Sequence, residues 1–204
     1  MELGSVCVFS GSSPGARPSY EAAARALGAT LARERIRLVY GGARVGLMGH
    51  LADAARANGG AVVGVIPAAL VDREVAHDGL DELHVVDGMH ERKATMNALA
   101  DAFVALPGGV GTLEELFEAW TWRQLGLHDK PVGILDVDGY WERLRGFLDH
   151  AAAEGFVRTE ELKRLVVADG PAELLACLRR AEAGPFRPER ATRARAGAAA
   201  DRRR

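Results

Sequence analysis

Cysteine is scarce. Cys7 and Cys177 are far apart and form no CxxC pair. Neither a disulfide framework nor a cysteine-based zinc site is expected, no metal is called for, and a reducing cytoplasm is the expected setting. Long hydrophobic runs are missing too. The longest, Ala61 to Val71, is short and interrupted by Pro67, which excludes a bilayer-spanning helix. No basic segment followed by a long apolar stretch opens the chain, so no signal peptide is read there. Lysine occurs only as Lys93, Lys130 and Lys163. Neither charge sign dominates: the net charge is −2, which argues against nucleic acid as a partner for the body of the protein. What remains is a chain of 204 residues, 48% hydrophobic and 26% charged. That is an ordinary soluble composition with enough length for one well-buried core.

Strand and helix patterns alternate along it. Near-continuous apolar runs at Ser5–Ser10, Arg37–Tyr40, Val62–Ile66, Leu83–Val86, Ala102–Leu106, Val132–Leu135 and Leu165–Val167 read as strands. Helical spacing appears at about Ser19–Arg33, Gly46–Asn58, Met89–Ala100, Leu113–Leu125, Tyr140–Glu154 and Pro171–Ala183. Unbroken apolar strands are those covered on both faces of a parallel sheet. The expected fold is α/β, a Rossmann-like doubly wound parallel sheet flanked by helices in a single domain over residues 1–183. Residues 187–204 hold seven arginines against Glu189 and Asp201, a net +5 that leaves −7 on the rest. Large apolar side chains are few there, so residues 184–204 read as a disordered, solvated tail. Binding of nucleic acid or an acidic partner is the lesser reading of that tail.

In such a sheet, ligands bind beyond the carboxyl ends of the strands. Three loops stand there: Ser10–Pro14, Gly41–Gly46 and Pro107–Thr112. The last, Pro107-Gly-Gly-Val-Gly-Thr-Leu-Glu-Glu115, joins a strand to a helix and suits an anion. Glu114 and Glu115 then fall on the first turn of a helix beginning at Leu113. No GxxxxGK[ST] is present. GxGxxG is only half matched, with Glu114 in place of the third glycine and the motif after the fifth strand, so dinucleotide redox chemistry is not expected. Tyr40-Gly-Gly-Ala-Arg-Val-Gly-Leu-Met-Gly49 reads as a tight turn in which glycines allow positive φ, and ligand contact there is an open alternative. In Met89-His-Glu-Arg-Lys93, two cations stand near a helix N-terminus, where the dipole favours anions. An anionic ligand would account for them, as would a solvated helix face. His90 reads as a surface or packing residue.

Met89-His-Glu-Arg-Lys93 and Pro107-Gly-Gly-Val-Gly-Thr-Leu-Glu-Glu115 together resemble the Lonely Guy (LOG) family, whose members are often labelled lysine decarboxylases. The resemblance extends through Tyr40-Gly-Gly, Gly46-Leu-Met-Gly49, Ile66-Pro67, Thr121-Trp122 and Leu125-Gly-Leu-His-Asp-Lys-Pro-Val-Gly133 and covers roughly residues 4–180. Ala43 departs from it, standing where the family usually has a third glycine, and the arginine-rich tail has no counterpart. The resemblance implies hydrolysis of the N-glycosidic bond of cytokinin riboside 5′-monophosphates, N6-prenylated AMP and also AMP, to a free base and ribose 5-phosphate. It implies no cofactor and a homodimer or higher homo-oligomer. Arg92 and Glu115 match the catalytic pair. Glu74, Arg92, Lys93, Gly109, Val110, Gly111, Thr112, Leu113, Glu114, Glu115 and Thr121 match substrate-binding positions.

The chemistry agrees. Cleaving a ribosyl C–N bond builds oxocarbenium-like charge on the sugar. A carboxylate beside the anomeric carbon would stabilise that charge, and a phosphate held on the glycine loop would orient the sugar. Three rivals stand beside this reading. A pyridoxal-dependent lysine decarboxylase needs a Schiff-base lysine, and Lys93 is already placed among the ligand cations. A general purine nucleotide nucleosidase in salvage is the nearest enzymatic alternative. A non-enzymatic nucleotide or molybdenum-cofactor carrier is the alternative of a different class.

Overall fold

The computed structural model describes residues 2–71 and 75–181. Seven strands, β1 (Ser5–Phe9), β2 (Arg37–Tyr40), β3 (Val62–Pro67), β4 (Glu82–Val86), β5 (Ala102–Ala105), β6 (Val132–Leu135) and β7 (Leu165–Ala168), form one parallel sheet in the order β4-β3-β2-β1-β5-β6-β7. The helices are α1 (Pro18–Arg33), α2 (Gly46–Ala57), α3 (Met89–Leu99), α4 (Val110–Gln124), α5 (Glu142–Ala153), α6 (Thr159–Lys163) and α7 (Pro171–Arg180). One core layer joins Leu27 and Leu31 of α1, Leu51 of α2 and Leu174 and Leu178 of α7 to one face of the sheet. The other packs Met96 of α3, Leu116 and Trp120 of α4 and Leu148 of α5 on the opposite face. Burial on both faces explains the unbroken apolar strands, and the doubly wound α/β expectation holds.

Departures from the sequence reading are local. β4 lies at the sheet edge with Glu82, Leu83 and Val85 exposed, so it is not covered like the central strands. α6 and a 3₁₀ turn at Ala68–Leu70 were not expected. Both are too short for helical periodicity to register. α4 begins at Val110, three residues before the expected Leu113. Gly109 is its extended N-cap, and Gly111 lies inside the first turn instead of breaking it. Glu74 and the arginine-rich tail lie outside the described residues.

Candidate functional site

The strand order reverses between β1 and β5, the place where an open α/β sheet forms a ligand crevice. The two loops leaving these strands are laced together. Leu106 donates its N–H to Phe9 O at 2.9 Å, and Gly11 donates to Pro107 O at 3.1 Å. Leu47, in the first turn of α2, donates to Gly11 O at 3.0 Å and brings the Gly41–Gly46 loop against the same place. Gly42 and Gly46 both have positive φ, +76° and +58°, as the tight-turn reading requires.

The anion-binding end is the start of α4. Its hydrogen-bond ladder opens with Leu113 N–H to Gly109 O at 3.1 Å, so the amides of Val110, Gly111 and Thr112 precede the first helical bond. Thr112 is buried, and its Oγ1 lies 2.1 Å from where a Cβ on Gly108 would stand. Only glycine lets the loop approach so closely. Since α4 starts at Val110, Glu114 and Glu115 occupy its second turn, not its first as expected. That shift moves the carboxylates about one turn, roughly 5 Å, further from the amides, leaving room between them for a sugar.

The adjacent acids diverge. Glu115 is largely buried and faces the similarly buried Arg92, with Nη2 to Oε1 at 3.9 Å. Glu114 is half exposed and receives Lys93 Nζ at 2.7 Å, and Glu118 receives the same ammonium at 3.0 Å. Burial alone would lower the Lys93 pKa, but hydrogen bonds and charge from Glu114 and Glu118 outweigh it, and the net shift is upward. Lys93 therefore clasps α3 to α4. Arg92 owes its position to Gly41, where a Cβ would come 2.3 Å from Arg92 Nη2. Cys7 lies buried close by. Burial first, and the Glu115 carboxylate second, push its thiol well up, with Arg92 and Lys130 opposing. It is no nucleophile.

Ser10, Gly11, Ser12, Met48, Leu70, Met89, Arg92, Gly109, Val110, Gly111, Thr112, Glu114 and Glu115 line a cleft of about 270 Å³. Glu115 also borders a narrow recess with Phe9, Met96, Phe103 and Trp122. Of the expected site residues, Arg92, Gly109, Val110, Gly111, Thr112, Glu114 and Glu115 thus come together around one cleft. Lys93 borders the recess, Leu113 is half-buried on α4, and Thr121 is exposed further along that helix. His90 is exposed, and Trp120 belongs to the core. Sequence reasoning placed the Ser10–Pro14 loop at the ligand end and Met48 in the second glycine cluster without giving Ser10, Ser12 or Met48 a role, and it did not single out Leu70. The two serines sit just past β1, where strand-end position was a usable signal. Met48 lay in a cluster where ligand contact was an open alternative, and Leu70 carried no signal.

Known proteins show the same pattern. A family described as "Possible lysine decarboxylase" matches residues 48–178. A Rhodococcoides fascians protein named cytokinin riboside 5′-monophosphate phosphoribohydrolase is 51% identical over 176 residues, 86% of this chain and 89% of its own. An Arabidopsis thaliana protein of the same name, suffixed LOG7, is 51% identical over 83% of this chain and 78% of its own. The chain belongs to the Lonely Guy family. Among solved structures, the molybdenum cofactor binding protein from Rippkaea orientalis superposes with a TM-score of 0.66 at 23% identity, covering 88% of this chain and 98% of that one. At that identity the likeness concerns the fold. Both family labels can be tested against the cleft. A decarboxylase of the pyridoxal type would need a lysine in it, and none lines it. Lys93 is clasped by two carboxylates, and Lys130 donates to Asn97 O.

Proposed function

We propose that this family member is a phosphoribohydrolase that cleaves the N-glycosidic bond of cytokinin riboside 5′-monophosphates, N6-prenylated AMP and AMP itself, giving the free base and ribose 5-phosphate. The observation that carries the reading is the buried Arg92–Glu115 pair, 3.9 Å apart, one turn beyond a glycine-capped helix N-terminus in a single cleft. In this reading the amides of Val110, Gly111 and Thr112 and the α4 dipole hold the 5′-phosphate. Glu115 then faces the anomeric carbon. Its negative charge stabilises the oxocarbenium-like transition state and directs a water, whose proton passes to the Glu115 carboxylate as its oxygen bonds to C1′. The C1′–N bond breaks, and the base leaves with the electron pair and takes up a proton from solvent. Arg92 aligns ribose or phosphate oxygens. Phosphate binding is thereby converted into orientation of the reacting sugar.

Glu74, Lys93, Leu113 and Thr121 complete the proposed substrate-binding set by resemblance, Lys93 acting through its clasp on Glu114. The reading concerns residues 1–183 and assigns nothing to the tail. A homodimer or higher assembly is part of it. Leu125 and Leu127 after α4, each 68% exposed, are apolar surface that a second copy could cover. No helix among the described residues is long and apolar enough to cross a membrane. Unpaired Cys7 and Cys177 suit the cytoplasm.

The test is chromatography of free base after incubation with prenylated AMP, AMP and the corresponding ribosides. Base should be released from the monophosphates and far less from the ribosides. Equal cleavage of both would remove the phosphate role of the glycine loop. Binding of AMP without base release would instead support a carrier. AMP cleaved as well as prenylated AMP would point to a salvage nucleosidase.

A further inference from the structure

Two polar groups at the cleft are buried without a hydrogen-bond partner among the described residues: Ser10 Oγ and Arg92 Nε. Ser10 is only 7% exposed and follows the last residue of β1 at the strand-order reversal. A buried hydroxyl left unsatisfied is costly, so native proteins rarely keep one unless something supplies the bond. The phosphate end of the cleft already offers the amides at the start of α4, which can only donate. A serine hydroxyl both donates and accepts, which matches a sugar hydroxyl better than a phosphate oxygen. Arg92 Nε, an obligate donor, adds a second bond that an alcohol oxygen can accept.

We infer that Ser10 is a substrate-positioning residue whose hydroxyl binds the 2′- or 3′-hydroxyl of the ribose, beside Arg92. This rests on the phosphoribohydrolase reading. With both the phosphate and a ring hydroxyl held, the sugar cannot pivot, and C1′ stays against Glu115. Ser10 holds the ring and takes no part in moving protons to or from the reacting bond.

The experiment compares wild type with Ser10→Ala on AMP, 2′-deoxy-AMP and 3′-deoxy-AMP. On AMP the variant should lose about three- to tenfold in kcat/KM, the range of one uncharged hydrogen bond. The loss should vanish for whichever deoxy nucleotide lacks the partner hydroxyl. The free variant should melt no lower than wild type, because the methyl group replaces an orphaned hydroxyl. An equal penalty on all three nucleotides would place the contact on phosphate or base and overturn the inference. So would an unchanged kcat/KM on AMP, or a lowered melting temperature, which would mean the hydroxyl already had a structural bond. Wild-type release of adenine checks the hydrolase reading separately. Calorimetric binding of ribose 5-phosphate, which needs no turnover, tests Ser10 even if that release fails: weaker binding to Ser10→Ala supports the contact, and equal binding overturns it.

Discussion

Arg92 and Lys93 are neighbours on one helix, and Glu114 and Glu115 are neighbours on another, yet the two cross-helix pairs differ in kind. Lys93 closes on Glu114 and Glu118 at 2.7 and 3.0 Å, and of the three only Glu114 is half exposed. Arg92 and Glu115 face each other at 3.9 Å, both largely buried. Successive residues on a helix point about 100° apart, so one step in sequence gives the two pairs different partners. The outer pair fixes the distance between α3 and α4. The inner pair stands at the wide end of ion-pair distance, 3.9 Å, and borders the cleft.

The strongest way to break this comparison is to remove the inner acid. Glu115→Ala should lower base release on the order of 10²–10⁴-fold, as expected for a positioned acid–base group, with a circular dichroism spectrum like wild type. Near-normal turnover would end the mechanism. Displacing the inner cation without touching its charge is subtler. Gly41→Ala puts a methyl group where Arg92 Nη2 needs room, at 2.3 Å, and should cost roughly ten- to hundredfold in kcat, since ångström displacements at a reacting centre matter that much. Wild-type kinetics in that variant would mean Arg92 has no fixed position to lose.

The outer pair should respond least. Lys93→Met should leave kcat within about threefold and cost about 1–3 kcal/mol of stability, the scale of hydrogen bonds to charged groups, since the ammonium is largely buried. The sign with pH follows from the raised Lys93 pKa. The clasp is fully stabilising below the ordinary lysine pKa, and its contribution is lost as pH rises through the higher folded value. Urea midpoints of wild type and Lys93→Met should therefore differ at pH 8 and converge in strong alkali. A gap that persisted there would mean that Lys93 acts by packing.

What the sequence made legible tracks how local each cause is. β1, β2 and β5 were readable because burial on both faces leaves an unbroken apolar run. The glycine loop was readable because it interrupts two such patterns at once. The start of α4 was not, because Gly111 looks like a breaker until Gly109 is seen as an extended cap. The clasp of Lys93 on Glu114 and Glu118 was not legible, because these partners are 21 and 25 residues away and no short spacing announces such a pairing. The Ser10–Pro14 loop was legible from its strand-end place, but no role for Ser10 itself was, because a hydroxyl is conspicuous only when its missing hydrogen bond can be counted.

The central seam of the sheet joins parts of the chain that lie far apart in sequence. β1, β2, β3 and β4 pair with strands close in sequence. β1 meets β5 only when residues such as Ser5 and Asp101, 96 positions apart and hydrogen-bonded at 2.9 Å, come together. That closure pays its loop entropy late. Until it happens, β1 presents an unpaired edge open to pairing with other chains. Ser10 and the glycine loop belong to opposite sides of the seam, so a chain that lacks this closure holds only one side of the site. Catalytic competence and protection from aggregation arrive in the same step.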